Sequence, residues 1–177
     1  MHRSRKPWIV VAAAATLFAA GLGCKNQQEA QEENLPLLSA IAVASPRAER
    51  QLLDGFYQVE NNSWRWTRHE FSVRLMPPQG AAATGARLEL RFTLPNPVID
   101  RRQAVTLSAS VGGTALPPTT YTAAGVYVYK ADVPAQAFSG TAPVKVSFST
   151  DKFLRAGEVE ARELGLVATT ISLLPSK

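Results

Sequence analysis

Four side chains in one stretch, GFYQVENNSWRWTRHEFSVRL from Gly55 to Leu75, could engage a ligand: Tyr57, Trp64, Trp66 and His69. Aromatic rings stack on the apolar faces of pyranose sugars, and Glu60, Arg65 and Arg68 are close enough in sequence to hold the hydroxyls. The same residues also suit a core. Trp64 and Trp66 are two apart, so on a strand they share one face. Spacing alone leaves that face open between buried packing and a binding surface. Arg65 points the other way, where a forked pair with a carboxylate would be geometrically specific. Glu60 and Glu160 are the candidate partners, and Arg162 belongs with Glu160 in the same expected structural group.

Catalytic chemistry finds little to work with. Beyond His2, His69 is the one imidazole, and no G-x-S-x-G elbow accompanies it. Asp54, Glu60, Glu70, Asp100, Asp132 and Glu158 could serve a glycosidase, yet nothing in the spacing pairs any two of them. Zinc needs several His or Cys ligands, and calcium an acid-rich loop; neither pattern is present. The expectation is a non-enzyme without metal or cofactor.

The elements that must position these residues are strands. Phe71, Val73 and Leu75 alternate with polar residues, as do Leu88 to Leu94, Val105 to Val111 and Val144 to Phe148. A period of two gives each strand one apolar and one wet face. Gly125–Val133 and Leu164–Leu174 are apolar on both faces in places, so they are expected to be central. Turn chemistry separates the runs: Pro77-Pro78-Gln79-Gly80, Pro95-Asn96-Pro97, Pro117-Pro118 and Ser139-Gly140. Gly112-Gly113 reads as a two-residue hairpin turn with positive φ at both positions. The fold class is therefore all-β: an antiparallel two-sheet β-sandwich, jelly-roll-like, of about eight strands over residues 50–175.

Upstream the chain changes character. Arg3, Arg5 and Lys6 precede an apolar run from Trp8 to Leu22, broken only by Thr16, and polarity returns at Lys25. This is the secretory pattern, and the run falls short of the roughly 20 residues that span a bilayer. Residues 1–23 are expected to be a signal peptide, and 24–49 a tether. Leu35–Val43 within it is apolar again and is expected as a strand or a stretch lying on the body, while Ser45-Pro46 could cap one helical turn. Without the three leader cations, sixteen basic residues face fourteen acidic ones, too balanced for a nucleic-acid partner. Cys24 is the single cysteine, so no internal disulfide is available and the fold must rest on packing.

Gly21-Leu22-Gly23-Cys24 resembles the lipobox of bacterial lipoproteins. Gly23 and Cys24 fit; Gly21 stands where an aliphatic is usual, and Leu22 where a small residue is common. The resemblance implies acylation of Cys24 and stable anchoring through more than one acyl chain. It also implies export, with Lys25 favouring the outer over the inner membrane. In such a protein the sequon Asn61-Asn62-Ser63 carries no glycosylation meaning.

A second likeness covers residues 51–174. Gly55-Phe56-Tyr57, Glu60 and Trp64-Arg65-Trp66-Thr67, with Glu160-Ala161-Arg162-Glu163-Leu164-Gly165 at the close, resemble a bacterial β-sandwich module appended to glycosyltransferases and other cell-envelope polysaccharide proteins. That resemblance implies a sandwich with no chemistry of its own. Two roles compete: binding of envelope polysaccharide, which needs the aromatics exposed in a shallow groove, and docking of envelope proteins, which needs an apolar patch or open sheet edge.

Overall fold

The alternation of residue types becomes an alternation of burial. In β4 (Ala86–Leu94), Leu88, Leu90, Phe92 and Leu94 are buried while Arg91 is exposed. In β5 (Val105–Val111) and β8 (Val144–Thr150) every second residue is likewise buried. The computed structural model describes residues 35–176. The expected signal peptide, Cys24 and residues 25–34 of the expected tether lie outside the described residues.

Nine strands are present among the described residues, all paired antiparallel in the order β6-β5-β8-β3-β9-β4-β7, with β1 added on β9 and β2 on β3. β1 is Ala40–Ala42, β2 Leu52–Glu60, β3 Trp64–Leu75, β6 Thr114–Tyr121, β7 Gly125–Val133 and β9 Val167–Pro175. β3 joins two layers. Its first residues, Arg65 and Trp66, pair with Ala168 and Val167 of β9, whereas Glu70 to Leu75 pair with β8. So β2-β3-β8-β5-β6 form one layer and β1-β9-β4-β7 the other, around one shared core. Each fully buried Leu, Ile or Phe in that core contributes about 1.5–3 kcal/mol of transfer free energy.

The two-layered all-β expectation holds, nearly closed into a barrel. The far ends of the pairing path approach each other: the Tyr129 hydroxyl donates to the Pro117 carbonyl at 2.8 Å, and the Tyr121 and Tyr127 rings are 4.6 Å apart. Burial pushes the Tyr129 hydroxyl pKa up to about 12, with the neighbouring Tyr121 adding to it, so this donor stays protonated at neutral pH. β7, expected to be central, is instead the last strand of the path. Its apolar run does not mean burial on both faces, since Val126 is 81% exposed. β9 is central, as expected.

Two further differences concern boundaries. The tether assigned to 24–49 runs into the body. Ile41, Val43 and Ala48 are core residues, Ala40–Ala42 pair with β9, and the compact unit begins at Pro36. The apolar stretch expected to lie on the body thus supplies a strand, and Pro46–Gln51 forms the expected turn, a 3-10 helix with Pro46 at its start. Pro95-Asn96-Pro97 opens a seven-residue helix, Asn96–Arg102, rather than a plain turn, because proline suits the first helical positions. Gly112 and Gly113 take φ of 56° and 86° in the β5–β6 hairpin, as their sequence requires.

Candidate functional site

The β2–β3 hairpin places the aromatics. Asn61 and Asn62 both have positive φ, 49° and 51°, the conformation of a tight hairpin turn that asparagine tolerates. The sequon is therefore turn chemistry. From that turn β3 runs with Arg65 and Thr67 buried on its inner face, and with Trp64, Trp66 and Arg68 on its outer face. Trp64 and Trp66 meet edge to face, ring centroids 6.4 Å apart, and both are partly buried. Trp66 and Tyr57 pack against the core from outside, and Trp64 lies beyond it.

Arg65 does not pair with Glu60 or Glu160. Its Nε donates to the Val43 carbonyl at 2.6 Å and its Nη1 to the Tyr57 carbonyl at 3.0 Å, while Nη2 bonds Glu49. It is 4% exposed and ties the chain before β2 to the hairpin. The reason is reach: Arg65 points inward, whereas Glu60 and Glu160 lie at the partly exposed rim.

The expected clamp between the opening and closing motifs does exist, built by Arg162. Arg162 Nη1 bonds Glu60 Oε1 at 2.9 Å, and its Nε bonds Glu160. The bond from Arg162 holds the Glu160 carboxyl below the usual range. The Arg162 guanidinium also stands 5.1 Å from the centre of the Tyr57 ring, with Arg68 5.9 Å from it. Backbone completes the clamp: Thr67 donates its N–H to Leu166 O at 2.8 Å and accepts from the Gly165 N–H at 2.8 Å.

His69 is engaged with protein. Its ring stacks on Phe153 at 4.4 Å, and its Nδ1 and backbone N–H lie 2.6 Å and 2.8 Å from Glu163 Oε1. Burial raises the Glu163 pKa, but the two His69 hydrogen bonds outweigh it and hold the carboxyl below the usual range. No serine or threonine hydroxyl bonds the His69 ring among the described residues. Tyr57 and His69 therefore each have a protein group against the ring, and the tryptophan pair is what remains of the expected stacking surface.

A groove of about 430 Å³ lies further along the same outer face of β3, lined by Ser72, Ser108, Ser110, Ser147 and Ser149 with Asp54, Glu70 and Lys145, and by the apolar Phe71, Ala109, Ala115 and Phe148 beneath them. The sequence showed those serines only as the wet face of three strands; nothing in their spacing said the strands would be neighbours. A second hollow, about 270 Å³, is lined by Arg102, Lys152 and Arg155 with Asp151 and Glu158. There Glu158 accepts from Arg102 and from the Arg155 N–H, and Asp151 from the Thr106 N–H.

No family model matches the chain, and no curated protein matches it. Among solved structures, an acetyl xylan esterase, Est2A, from the rumen bacterium Butyrivibrio proteoclasticus aligns at 10% identity and a TM-score of 0.47, over 80% of this chain and 34% of that one. A Clostridium perfringens ZmpB structure, containing CBM51-2 in complex with GlcNAc and INT domains, aligns at 12% identity and a TM-score of 0.35, over 79% of this chain and 29% of that one. The chain spans about a third of the length of either neighbour. Both TM-scores fall short of the level that marks a shared fold.

Proposed function

We propose that this protein is an exported, lipid-anchored binding module of the cell envelope, without catalytic activity, that holds polysaccharide on the outer face of its β2–β3 hairpin. The observation that carries the reading is the outward placement of Trp64 and Trp66, partly in water while Arg65 and Thr67 take the inner face. Trp66 packs one side against the core, while its remaining surface and Trp64 stay in contact with water, where a wholly structural indole would be buried. Arg68 and the Glu60–Arg162–Glu160 cluster supply hydrogen-bonding groups near the hairpin. The anchor rests on the sequence around Cys24 and on the apolar run before it.

Two measurements test this. On a glycan array, the full chain purified in detergent should bind an envelope-type polysaccharide, and Trp64→Ala with Trp66→Ala should lower that binding by about tenfold or more, as loss of stacked aromatic contacts does elsewhere. Unchanged binding in a folded double variant would remove the tryptophans from the site. Radiolabelled palmitate should enter the wild type and be lost from Cys24→Ala, whereas equal labelling would remove the anchor. The competing reading, docking of an envelope protein, is favoured by the terminal strand β7 with its outward Val126. An empty array together with stoichiometric protein capture through β7 would favour it.

A further inference from the structure

The groove on β3, β8 and β5 is ordered by strand register. Ser72 is opposite Ser147, and Ser147 is opposite Ser110, so three hydroxyl-bearing side chains form one row across three strands. Asp54 of β2 extends that row, opposite Ser72. One rung along, Glu70, Ser149 and Ser108 form a second row. Side chains directly opposite are about 5 Å apart, and successive rungs on one face about 7 Å. The result is a small, nearly flat lattice of hydroxyls with carboxylates on the β2–β3 side.

Asp54 Oδ1 accepts the Gly55 N–H at 2.7 Å, but most of the other groups are not spent on the protein. Ser72 is 6% exposed, yet its hydroxyl makes no hydrogen bond among the described residues, and it lines the groove. Such a group ordinarily finds a partner, because burying a polar atom without one is costly. No side-chain oxygen in the described body is both sealed off and unpaired, so the Ser72 hydroxyl is reached from the groove. The Ser147 hydroxyl and the Glu70 carboxylate are likewise without a bond or ion pair among the described residues.

We propose that this groove is a second ligand site, and that it takes an amino-sugar oligosaccharide. It deepens the polysaccharide-binding reading and rests on it for the ligand class. A serine hydroxyl both donates and accepts, so a row of them suits a ligand that itself presents hydroxyls in series. Phe71 and Phe148 also line the groove, but each is only 2% exposed, so neither ring offers a face for stacking. Recognition must therefore come from hydrogen bonds and charge. Asp54 and Glu70 outnumber Lys145 in the lining, which favours a ligand amine beside the unpaired Glu70 over a uronic acid. The volume lies within the range of small-molecule sites. Trp66 and Ser72 are six residues apart on β3, about 20 Å, so the two sites lie on one face and can be tested separately.

The test is calorimetric titration of the full chain in detergent with short β-1,4-linked glucosamine oligomers, beside N-acetylated oligomers of equal length. Glucosamine oligomers should bind. Ser147→Leu, which fills the middle of the row, and Glu70→Gln should each weaken them about tenfold or more, the usual consequence of losing a charge-assisted bond or blocking a site. The Trp64→Ala, Trp66→Ala variant should stay within about twofold of the wild type, because additivity holds for distant sites. Absence of glucosamine binding, or binding unchanged in both groove variants, overturns the site. Equal binding of the N-acetylated oligomers overturns the assignment of the amine. Should Ser147→Leu fail to fold, Glu70→Gln, on the exposed rim, decides. Array binding lost in the tryptophan variant with calorimetric binding kept separates failure of one site from failure of the other.

Discussion

Gly55→Ala is expected to destabilise the body by about 3 kcal/mol or more, read as a shift of the urea midpoint at unchanged slope. Gly55 has a φ of +79°, and a Cβ there would stand 2.1 Å from the Glu70 carbonyl oxygen and 2.6 Å from the Phe71 Cα. Both neighbours are backbone of β3, so neither can rotate away. The residue sits where the β2–β3 register slips between Asp54 and Phe56, which lets β2 bend over β3. The consequence is functional, because this bend places Asp54 beside Ser72 and the hairpin beside the closing motif. Gly113→Ala is the control. It also has positive φ, +86°, but no atom lies within 4 Å of the Cβ position. Its cost should be only about 1 kcal/mol, the conformational part alone.

Arg65→Met is expected to cost about 2–4 kcal/mol by the same denaturation measurement, since a buried carbonyl and a partly buried one lose their donor. The Val43 and Tyr57 carbonyls both accept from Arg65, and a methionine fills the space without replacing the N–H groups. Glu49→Ala should cost under about 1 kcal/mol although Glu49 is the ion-pair partner. Its side chain is 57% exposed, and water screens and replaces that contact. A large loss in Glu49→Ala with little in Arg65→Met would reverse the account, making the charge pair, rather than backbone satisfaction, the reason for a buried arginine. The Arg65 bond to Val43 also predicts that a fragment starting at Gln51 would lack both β1 and this anchor point.

Much of the fold was legible. The two-residue period in β4, β5 and β8 wrote burial directly into residue type, because a strand has only two faces. Gly112-Gly113 was readable because few sequences accept positive φ twice running. The site was half legible. The Trp64–Trp66 spacing established that the indoles share a face, but an indole is large, apolar and carries one donor, and such a residue suits core and surface alike. The arginine clamp was expected between the right two motifs and found on Arg162 instead of Arg65. Sequence shows which faces oppose each other; it does not show which face is inside when both carry long side chains.

The sequence by itself determined local geometry: strand periods, the Gly112-Gly113 turn, and the opposition of Trp66 to Arg65. Only the tertiary structure decided neighbours. Ser72, Ser147 and Ser110 lie far apart along the chain, and each is an ordinary polar residue on its own strand. They become a row because β3, β8 and β5 pair in one register, and register is set by the apolar faces beneath them. The hydrophobic core that fills the inside of the protein thereby arranges the hydroxyls on its outside.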